Sequence, residues 1–523
     1  MGRRKILGWL LLFLFTLAGN AQQSYRNPVI SGFNPDPSIC RVGEDYYLVT
    51  SSFEYFPGVP VYHSRDLIHW KCIGYCLTRK SQLNLDNAWP SGGIFAPTLR
   101  YHKGTFYMIT TNVSDRGNFY VTAKNPAGPW SEPVYVDKEF FDPSLFFDDD
   151  GTVYYHRRGD SGTVMAPIDI KTGKLLAPLK TVLRGIKCSD QEGPHLYKIN
   201  GWYYLMVAEG GTRFGHMECI ARSKHPMGPY EPSPYNPLIA NHGNSADRVR
   251  SAGHGDLVQD HQGNWWMVHL ATRHHTYDAM SHLGRETFLT PVEWKDGWPV
   301  LRDVSRAAIE VVTKTLPLVE VDNEPQQDDF SSPSLALCWN FLRNPAEGSW
   351  TLKERKNFLR LYGNANATNS YASVAFVGRR QQHMKCEVST ALEFSPSAKE
   401  EAGLTVWLNY RYHYDLGVVL RNGKPVVILR KTIGDITVEE VVMEEPSSRI
   451  ELVVKAAPDK YEFYCTDHTH QLRYLGNALT RLLGTEIAGS FTGVYFAMYA
   501  SGNGQPCKTP ADFDWFEYKA EEK

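Results

Sequence analysis

The chain has 523 residues, of which 42% are hydrophobic and 21% are charged, the ordinary balance of a soluble globular protein. That length is too great for one common hydrophobic core and predicts two or more domains. The formal net charge of −2 excludes the strongly basic surface that nucleic acids and anionic membranes attract, so we expect no nucleic-acid partner.

The N-terminal segment has the pattern of a cleaved export signal. Residues 3–5 (Arg-Arg-Lys) are followed by an apolar stretch over residues 6–17 that is too short to span a bilayer. Small side chains at Gly19 and Ala21 favour cleavage after Ala21; an uncleaved anchor is the alternative. We therefore expect residues 1–21 to be a signal peptide. The mature protein would be periplasmic, or alternatively secreted, without a membrane anchor.

Five hairpins recur between about residues 25 and 310. Each has a polar turn with Gly or Asp, followed by a β-rich aromatic run, at residues 45–50, 105–110, 152–155, 201–207 and 264–269. Before the hairpins, about 46 to 62 residues apart, come Asp36, Ala96, Asp142, Glu192 and His254. That spacing is typical of propeller blades with four strands. The sequence predicts a five-bladed β-propeller over residues 22–305.

A second repeat supports the blades. Residues 125–130 (Asn-Pro-Ala-Gly-Pro-Trp) and 225–230 (His-Pro-Met-Gly-Pro-Tyr) share the pattern x-Pro-x-Gly-Pro-aromatic. Residues 64–70 fill the matching place in blade one. We expect these segments to form equivalent outer turns.

Three carboxylates are candidates for chemistry because each lies beside Pro or Gly. Asp36 stands between two prolines, Asp142 precedes Pro143, and Glu192 precedes Gly193. Proline fixes φ and glycine permits close approach, although for any one segment alone ordinary turn chemistry is the alternative. The innermost strands of all blades begin at one face of the channel, so the three groups should converge at its mouth. Two carboxylates and a third that tunes them are what glycosidic hydrolysis needs.

The character of the chain changes after residue 305. Residues 306–327 carry little hairpin signal and are predicted to be a linker with some extended structure. Alternating strands over residues 328–523 predict a C-terminal β-sandwich of jelly-roll, concanavalin-like type. Within it, residues 512–518 are expected to pair near the start of the domain. The fold class is therefore all-β, a propeller followed by a sandwich.

Taken together, the motifs resemble glycoside hydrolase family 43. They occur in that family's order across the first three hundred residues, at 34–39, 51–67, 94–97, 142–144, 192–195, 253–256 and 284–287. The sandwich resembles the C-terminal domain of the xylosidase and arabinofuranosidase branches. The set is specific, whereas any one of its members alone is weak.

The resemblance implies an inverting mechanism. Asp36 would be the general base, Glu192 the general acid, and Asp142 the carboxylate that tunes the acid and orients the substrate. In inverting enzymes the base and the acid are about 6.5 to 9.5 Å apart, and no covalent intermediate forms. A neighbouring negative charge would help to keep Glu192 protonated. A retaining mechanism is the alternative.

The resemblance also implies residues that bind the substrate. Arg285 matches the family's substrate-contacting arginine, with a structural salt bridge as the alternative. Phe53 and Phe95 would form pocket walls, and related xylosidases often have Trp at the position of Phe95. His254 matches the histidine at the channel centre, where a structural water or calcium binds. No cofactor is expected for the chemistry and no metal site among the catalytic residues; the nine cysteines lack metal-ligand spacing.

The activity that follows is exo-acting α-L-arabinofuranosidase action on plant hemicellulose side chains or cell-wall oligosaccharides. β-D-Xylosidase or dual activity is the alternative, and Phe95 with residues 110–112 favours the arabinofuranosidase. A non-catalytic carbohydrate-binding propeller is the hypothesis from another class. A sandwich loop, from residues 491–496 or 498–502, would close one side of the site and impose exo action. A sugar-binding module is the rival interpretation of the sandwich.

Overall fold

The computed structural model describes residues 23–242, 248–274, 280–302, 306–313, 316, 319 and 325–521. Over these ranges the chain is almost entirely antiparallel β-structure, with one turn of 3₁₀ helix at Thr480–Leu483 and one of α-helix at Thr485–Ala488. Neither helix has the length and apolar character needed to cross a bilayer. The all-β prediction is confirmed, and the predicted signal peptide lies outside the described residues.

The first part of the described chain forms five antiparallel blades around a central channel, as predicted. Blade one contains Ser38–Val42, Asp45–Val49, Gly58–Ser64 and Lys71–Leu77. Blade two contains Thr98–His102, Thr105–Asn112, Gly117–Ala123 and Val134–Asp137. Blade three contains Ser144–Phe147, Val153–Gly159, Gly162–Asp169, Lys174–Leu175 and Lys180–Leu183. Blade four contains Gln191–Ile199, Trp202–Glu209, Met217–Ser223, Glu231–Pro232 and Ile239–Ala240. Blade five contains Val249–Gln259, Trp265–Arg273, Arg285–Lys295 and Trp298–Leu301.

The repeated Gly-Pro-aromatic segments form the same outer turn in blades two and four. Gly128 and Gly228 both have positive φ, 98° and 84°, which only glycine adopts without strain. The following aromatic side chain then bonds back across the turn: Trp130 Nε1 donates to the Pro126 carbonyl at 3.1 Å, and the Tyr230 hydroxyl donates to the Pro226 carbonyl at 2.6 Å. The segments are therefore equivalent in structure as well as in sequence.

The N-terminal segment closes the ring. Its first strand, Gln23–Arg26, pairs with Glu310–Thr313, which lies in the predicted linker. Asn27 then bonds both backbone groups of Leu289 in blade five, each at 2.9 Å. Further along, the Asn34 amide donates to the Arg285 carbonyl at 3.0 Å. Every blade is built from consecutive strands. The contacts of residues 23–34 with Glu310–Thr313 and with blade five therefore join the two ends of the propeller.

The C-terminal part is a sandwich of two antiparallel sheets. Within the described range, the eight-stranded sheet contains Gln327–Asp328, Trp350–Thr351, Leu359–Leu361, Cys386–Glu393, Arg449–Ala456, Lys460–Thr466, Leu472–Leu479 and Ala511–Ala520. The six-stranded sheet contains Ala375–Arg380, Glu401–Asn409, Tyr412–Arg421, Lys424–Ile433, Ile436–Glu444 and Tyr495–Ser501. The last strand pairs with the first, Glu517 opposite Gln327, which confirms the expected pairing near the domain start.

The two domains share a β-ladder and an apolar cluster. Strand Tyr55–Phe56 of the propeller pairs with Phe341–Leu342 of the sandwich. Beside the ladder, Tyr55 stacks on Tyr495 with ring centres 4.1 Å apart. The surrounding junction cluster consists of Phe33, Phe53, Tyr55, Leu342, Val374, Phe376, Trp407, Tyr495 and Ala497. Burial of these side chains fixes the sandwich against the channel mouth.

Candidate active site

One small cavity at the mouth of the channel brings the predicted site residues together. Its volume is about 90 Å³, and its lining comes from all five blades and from the sandwich. The lining side chains are Asp36, Phe53, Phe95, Ala96, Phe141, Asp142, Glu192, Thr212, His254, Arg285 and Phe491. All seven residues that the sequence marked as catalytic or substrate-binding are among them.

The backbone presents the carboxylates in two different ways. Asp36 and Asp142 have positive φ, 54° and 57°, and each lies two residues before an innermost strand. Such strained positions are typical of functional sites. Glu192 and His254 depart from the expectation that they precede their hairpins. Both lie within the innermost strand, where the ladder to the next strand is irregular. The cause at Glu192 is Gly193, whose φ of 56° allows the strand to bulge.

Asp36 is held in its ionised form. Its Oδ1 accepts from Arg285 Nη1 at 2.8 Å, and its Oδ2 accepts from the Ser51 hydroxyl at 2.6 Å. Burial acts to raise the pKa of Asp36, but the charge of Arg285, the nearby His254 and the Ser51 bond outweigh it and lower the pKa below the usual value. A buried, ionised carboxylate can accept a proton from water.

Glu192 is held in its protonated form. Burial and the negative charge of Asp36 raise the pKa of Glu192 to about 7, against the opposing charges of Arg285 and Arg158. Asp142 has its own pKa raised well above the usual value, by burial and by the charges of Glu192 and Asp36. Because repulsion between two carboxylates is mutual, Asp142 and Glu192 each favour the protonated form of the other, as expected. Asp142 also accepts a hydrogen bond from the Gly193 amide at 3.1 Å.

Aromatic rings and Arg285 form the walls of the cavity. Phe53 contacts both Phe95 and Phe491, with ring centres 5.3 and 5.9 Å away. The Arg285 guanidinium lies 5.6 Å from the Phe53 ring centre and 5.7 Å from that of Phe491. Arg285 Nε and the Thr212 hydroxyl have no hydrogen-bond partner within the described chain. A buried polar ligand such as a sugar would satisfy them, because unpaired buried donors are costly.

The sandwich contributes one wall of the cavity. Phe491 comes from the first of the two loop segments considered in the sequence. Tyr499, from the second, lies in a strand of the sandwich and donates to Glu401 at 2.6 Å. A second cavity of about 170 Å³ shares Thr212, Arg285 and Phe491 with the first. A larger one, of about 570 Å³, lies mainly on the sandwich and contains none of the three carboxylates.

His254 packs against the acid-bearing bulge. Its Nδ1 is 3.7 Å from Asp36 Oδ1, and a Cβ at Gly193 would lie 2.7 Å from its Nε2, so only glycine fits there. Burial lowers the pKa of His254, which favours the neutral ring. Nowhere in the described ranges do three or more His, Cys, Asp or Glu side chains group as metal ligands. A structural calcium ion beside His254 stays a prediction.

Sequence reasoning missed two groups beside Glu192. Arg158 Nη1 lies 3.8 Å from Glu192 Oε2, and His216 Nε2 lies 4.0 Å from Glu192 Oε1. Both residues lie at or near strand ends without a distinctive local motif. Phe141 was missed as a wall, although it directly precedes Asp142 and lies under the Arg158 guanidinium at 5.0 Å. Its position next to a candidate carboxylate was the available signal.

A buried ionic network supports the inner strands below the cavity. Asp256 accepts from Arg100 at 2.8 Å and from the Ser38 hydroxyl at 2.6 Å on one oxygen, and from the Tyr197 hydroxyl at 2.6 Å on the other. Arg100 also contacts His195 Nδ1 at 2.9 Å. These residues belong to the inner strands of four blades, so the network fixes the strands that carry the carboxylates.

Comparison with known proteins gives a consistent picture. The protein-family model described as Glycosyl hydrolases family 43 matches residues 25–299. A second family model, described as Beta xylosidase C-terminal Concanavalin A-like domain, matches residues 327–519. The chain is 46% identical over 507 residues to a non-reducing end α-L-arabinofuranosidase of Bacteroides ovatus, covering 95% of each chain. It is 38% identical over 511 residues to a xylosidase/arabinosidase of Butyrivibrio fibrisolvens, covering 94% of this chain and 98% of the relative. The solved structure of Bacteroides ovatus Xyloglucan PUL GH43B matches with a TM-score of 0.92 at 45% identity, covering 95% of this chain and all (100%) of the other.

Proposed function

The chain belongs to glycosyl hydrolase family 43, and from that premise we propose that it is an exo-acting, inverting α-L-arabinofuranosidase. It releases terminal arabinofuranose from plant hemicellulose side chains or oligosaccharides. One observation carries the proposal: two carboxyl groups with opposite protonation line one small cavity. Asp36 has a lowered pKa, whereas burial raises that of Glu192 to about 7.

The reaction is a single displacement. Asp36 takes a proton from a water molecule as the water oxygen attacks the anomeric carbon. Glu192 gives its proton to the glycosidic oxygen as the bond to the leaving group breaks. Each carboxyl changes its protonation once, and the anomeric configuration inverts. Arg285 and Thr212 have unpaired polar atoms with which they bind sugar hydroxyls.

Exo action is supported by the wall that the sandwich adds to the cavity. Phe491 of the sandwich closes one side, so a chain end or side branch enters more readily than the middle of a chain. This is the role expected for a sandwich loop.

Arabinofuranose is favoured over xylose by two observations. Phe95 lies in the wall where related xylosidases often have Trp, and the 46%-identical relative is a non-reducing end α-L-arabinofuranosidase. β-D-Xylosidase activity is the second candidate, because the Butyrivibrio relative is named for both sugars. The proposal includes export to the periplasm, which suits an enzyme that acts on cell-wall oligosaccharides.

Paired aryl glycosides test the proposal. We expect the enzyme to hydrolyse 4-nitrophenyl α-L-arabinofuranoside with a higher kcat/KM than the β-D-xyloside. Glu192→Ala should lower kcat on arabinofuranosyl oligosaccharides, whose sugar leaving groups need a proton, by about 10²- to 10⁴-fold, since it removes the general acid. The loss on the 4-nitrophenyl glycoside should be smaller, because 4-nitrophenolate leaves without a proton. Glu231→Ala is the matched control, an exposed carboxylate on the same blade that pairs with Arg222. The anomer formed first, followed by proton NMR, reports inversion.

The possible results separate the alternatives. Higher activity on the xyloside would keep the mechanism and change the sugar to xylose. Retention of configuration would refute the roles of Asp36 and Glu192. Absence of turnover on both substrates, with sugar binding retained, would favour a non-catalytic binding propeller.

A further inference from the structure

The sandwich segment that carries Phe491 is attached to the propeller on both sides of the cavity. On the blade-five side, the amide and hydroxyl of Ser281 each donate to the Glu486 carboxylate at 2.8 Å. The Val494 amide donates to the His282 carbonyl at 2.9 Å. These contacts hold the two ends of the segment, and Phe491 lies between them.

A single serine makes the attachment on the opposite side. The Phe491 amide donates to the Ser91 hydroxyl at 2.9 Å, and the Ser490 hydroxyl lies 3.2 Å from the same oxygen. Ser91 is buried and has a φ of 62°. Non-glycine residues adopt such a conformation at a cost, and it persists only where the surroundings impose it.

The backbone around Ser91 leads to Phe53, another residue of the cavity lining. The Ser91 backbone amide lowers the pKa of the buried carboxyl of Glu54, which places the two groups close together, and Glu54 directly follows Phe53. The same turn continues to Ile94, whose amide and carbonyl bond the carbonyl and amide of Phe53 at 3.1 and 2.9 Å. Ser91 therefore links the backbone beside Phe53, from the propeller, with that of Phe491, from the sandwich.

We infer that Ser91 is a positioning residue that sets the place of Phe491 and thereby the fit of the sugar. The cavity lining does not include Ser91, so it acts through Phe491. The Phe491 ring is 6.2 Å from Phe95, and the Arg285 guanidinium lies 5.7 Å from it. Movement of this ring changes a wall and the surroundings of the arginine that bonds Asp36. The inference rests on the proposed function only for the choice of substrate.

Two substitutions remove the hydroxyl with different effects on the backbone. Ser91→Ala leaves the strained φ, whereas Ser91→Gly also relieves it. If the Ser91 hydroxyl positions Phe491, both substitutions should raise KM about fivefold, which corresponds to the free energy of one hydrogen bond. The change in kcat should be smaller. Ser114→Ala is the matched control, because its hydroxyl accepts from Gly93 at 2.9 Å in the same turn. It should leave KM within about twofold of the wild type.

A double-mutant cycle tests the route through Phe491. In a Phe491→Ala background, Ser91→Gly should cause no further loss of kcat/KM, because the side chain it positions is gone. Equal losses in both backgrounds would overturn the inference. So would a KM in both Ser91 variants equal to that of the wild type.

Hydrogen exchange provides a readout that needs no substrate. The Phe491 amide should exchange faster in Ser91→Gly than in the wild type or in Ser114→Ala, because it loses its acceptor. Unchanged exchange at Phe491 would overturn the inference even if KM rises. If the wild type hydrolyses neither aryl glycoside, the proposed function fails, while the exchange experiment still decides the role of Ser91.

Discussion

At the scale of single residues, Arg285 controls the protonation of both proposed catalytic groups. Its charge lowers the pKa of Asp36 and opposes the rise in that of Glu192. The proposed mechanism requires Asp36 to be ionised and Glu192 to be protonated. The acidic limb of the pH profile of kcat/KM therefore follows Asp36, and the alkaline limb follows Glu192, near pH 7.

Replacement of Arg285 should move the whole profile to higher pH. Without the positive charge, the pKa of both carboxyl groups rises. We expect Arg285→Gln to lose activity at low pH and to retain more of its maximum at high pH, measured as kcat/KM between pH 4 and 9.

Arg158 offers a contrasting variant. Its charge acts on Glu192 and Asp142, but it is not among the groups that shift Asp36. Arg158→Gln should move the alkaline limb and leave the acidic limb in place. An acidic limb that shifts in Arg158→Gln, or that stays in place in Arg285→Gln, would contradict the assignment of base and acid.

The residues of the cavity differ in how far the sequence could predict them. Asp36, Asp142 and Glu192 stand in turn motifs whose chemistry is local, so their convergence followed from the blade period. Arg158 approaches Glu192 because blades three and four pack side by side, and His216 approaches it because the start of the third strand of blade four lies near the innermost strand. Distances across blades depend on packing, and no local pattern in one sequence encodes them.

At the scale of elements, the strand that joins the domains begins beside a buried acid. Glu54 precedes Tyr55–Phe56 and is almost fully buried, with one carboxyl oxygen unpaired. Burial raises the pKa of Glu54 to about 7. Hydrogen bonding by the backbone amides of Ser91 and Glu54 and the charge of Arg343 oppose this rise. The native state thus binds this proton more tightly than the unfolded chain, where an ordinary Glu titrates near about pH 4.3.

The sign of the effect on stability follows directly. Between about pH 4.5 and 7 the native state holds more protons at this site, so its contribution to stability falls as pH rises. Glu54→Gln should therefore be more stable than the wild type at pH 8, by about 1 to 3 kcal/mol, and similar to it at pH 4.5. Thermal unfolding at both pH values, with the exposed Glu44→Gln as control, measures the difference. A difference that does not change with pH would contradict the argument.

Element boundaries also show the limits of sequence patterns. The hairpin turns were predicted well because Gly and Asp mark them directly. The bulges at Glu192 and His254 were not, because their strands are largely buried on both faces, so the shift of alternation at a bulge leaves no polar–apolar signal. The pairing of Tyr55–Phe56 with Phe341–Leu342 joins distant parts of the chain and has no local signal.

At the scale of the whole molecule, the sandwich is expected to be part of the enzyme rather than an accessory. It covers Phe33, Phe53 and Tyr55 and supplies Phe491 to the cavity. A chain that ends at residue 313 should therefore expose this apolar surface, aggregate and lose activity. Size-exclusion chromatography and the arabinofuranoside assay measure both effects.

A full-length Phe491→Ala variant separates the two causes. It removes the aromatic wall but leaves the sandwich over the apolar surface of the propeller, so it should keep the oligomeric state of the wild type while kcat/KM falls. A soluble, monomeric and fully active propeller ending at residue 313 would show that the sandwich is dispensable. The number of domains and their types were predictable from period and length, whereas this dependence rests on which surfaces meet.

Residues 23–34, which close the propeller ring, affect how the protein loses activity on heating. The segment that seals the ring leads directly into Asp36, and its last contact, Asn34 with Arg285, adjoins the ion pair that keeps this carboxylate charged. If residues 23–34 detach, each blade retains its own hydrogen-bonded sheet. Asp36, the proposed general base, is nevertheless displaced. On heating, activity should therefore be lost before the β-sheet signal in circular dichroism. On cooling, activity should return without any refolding of the blades.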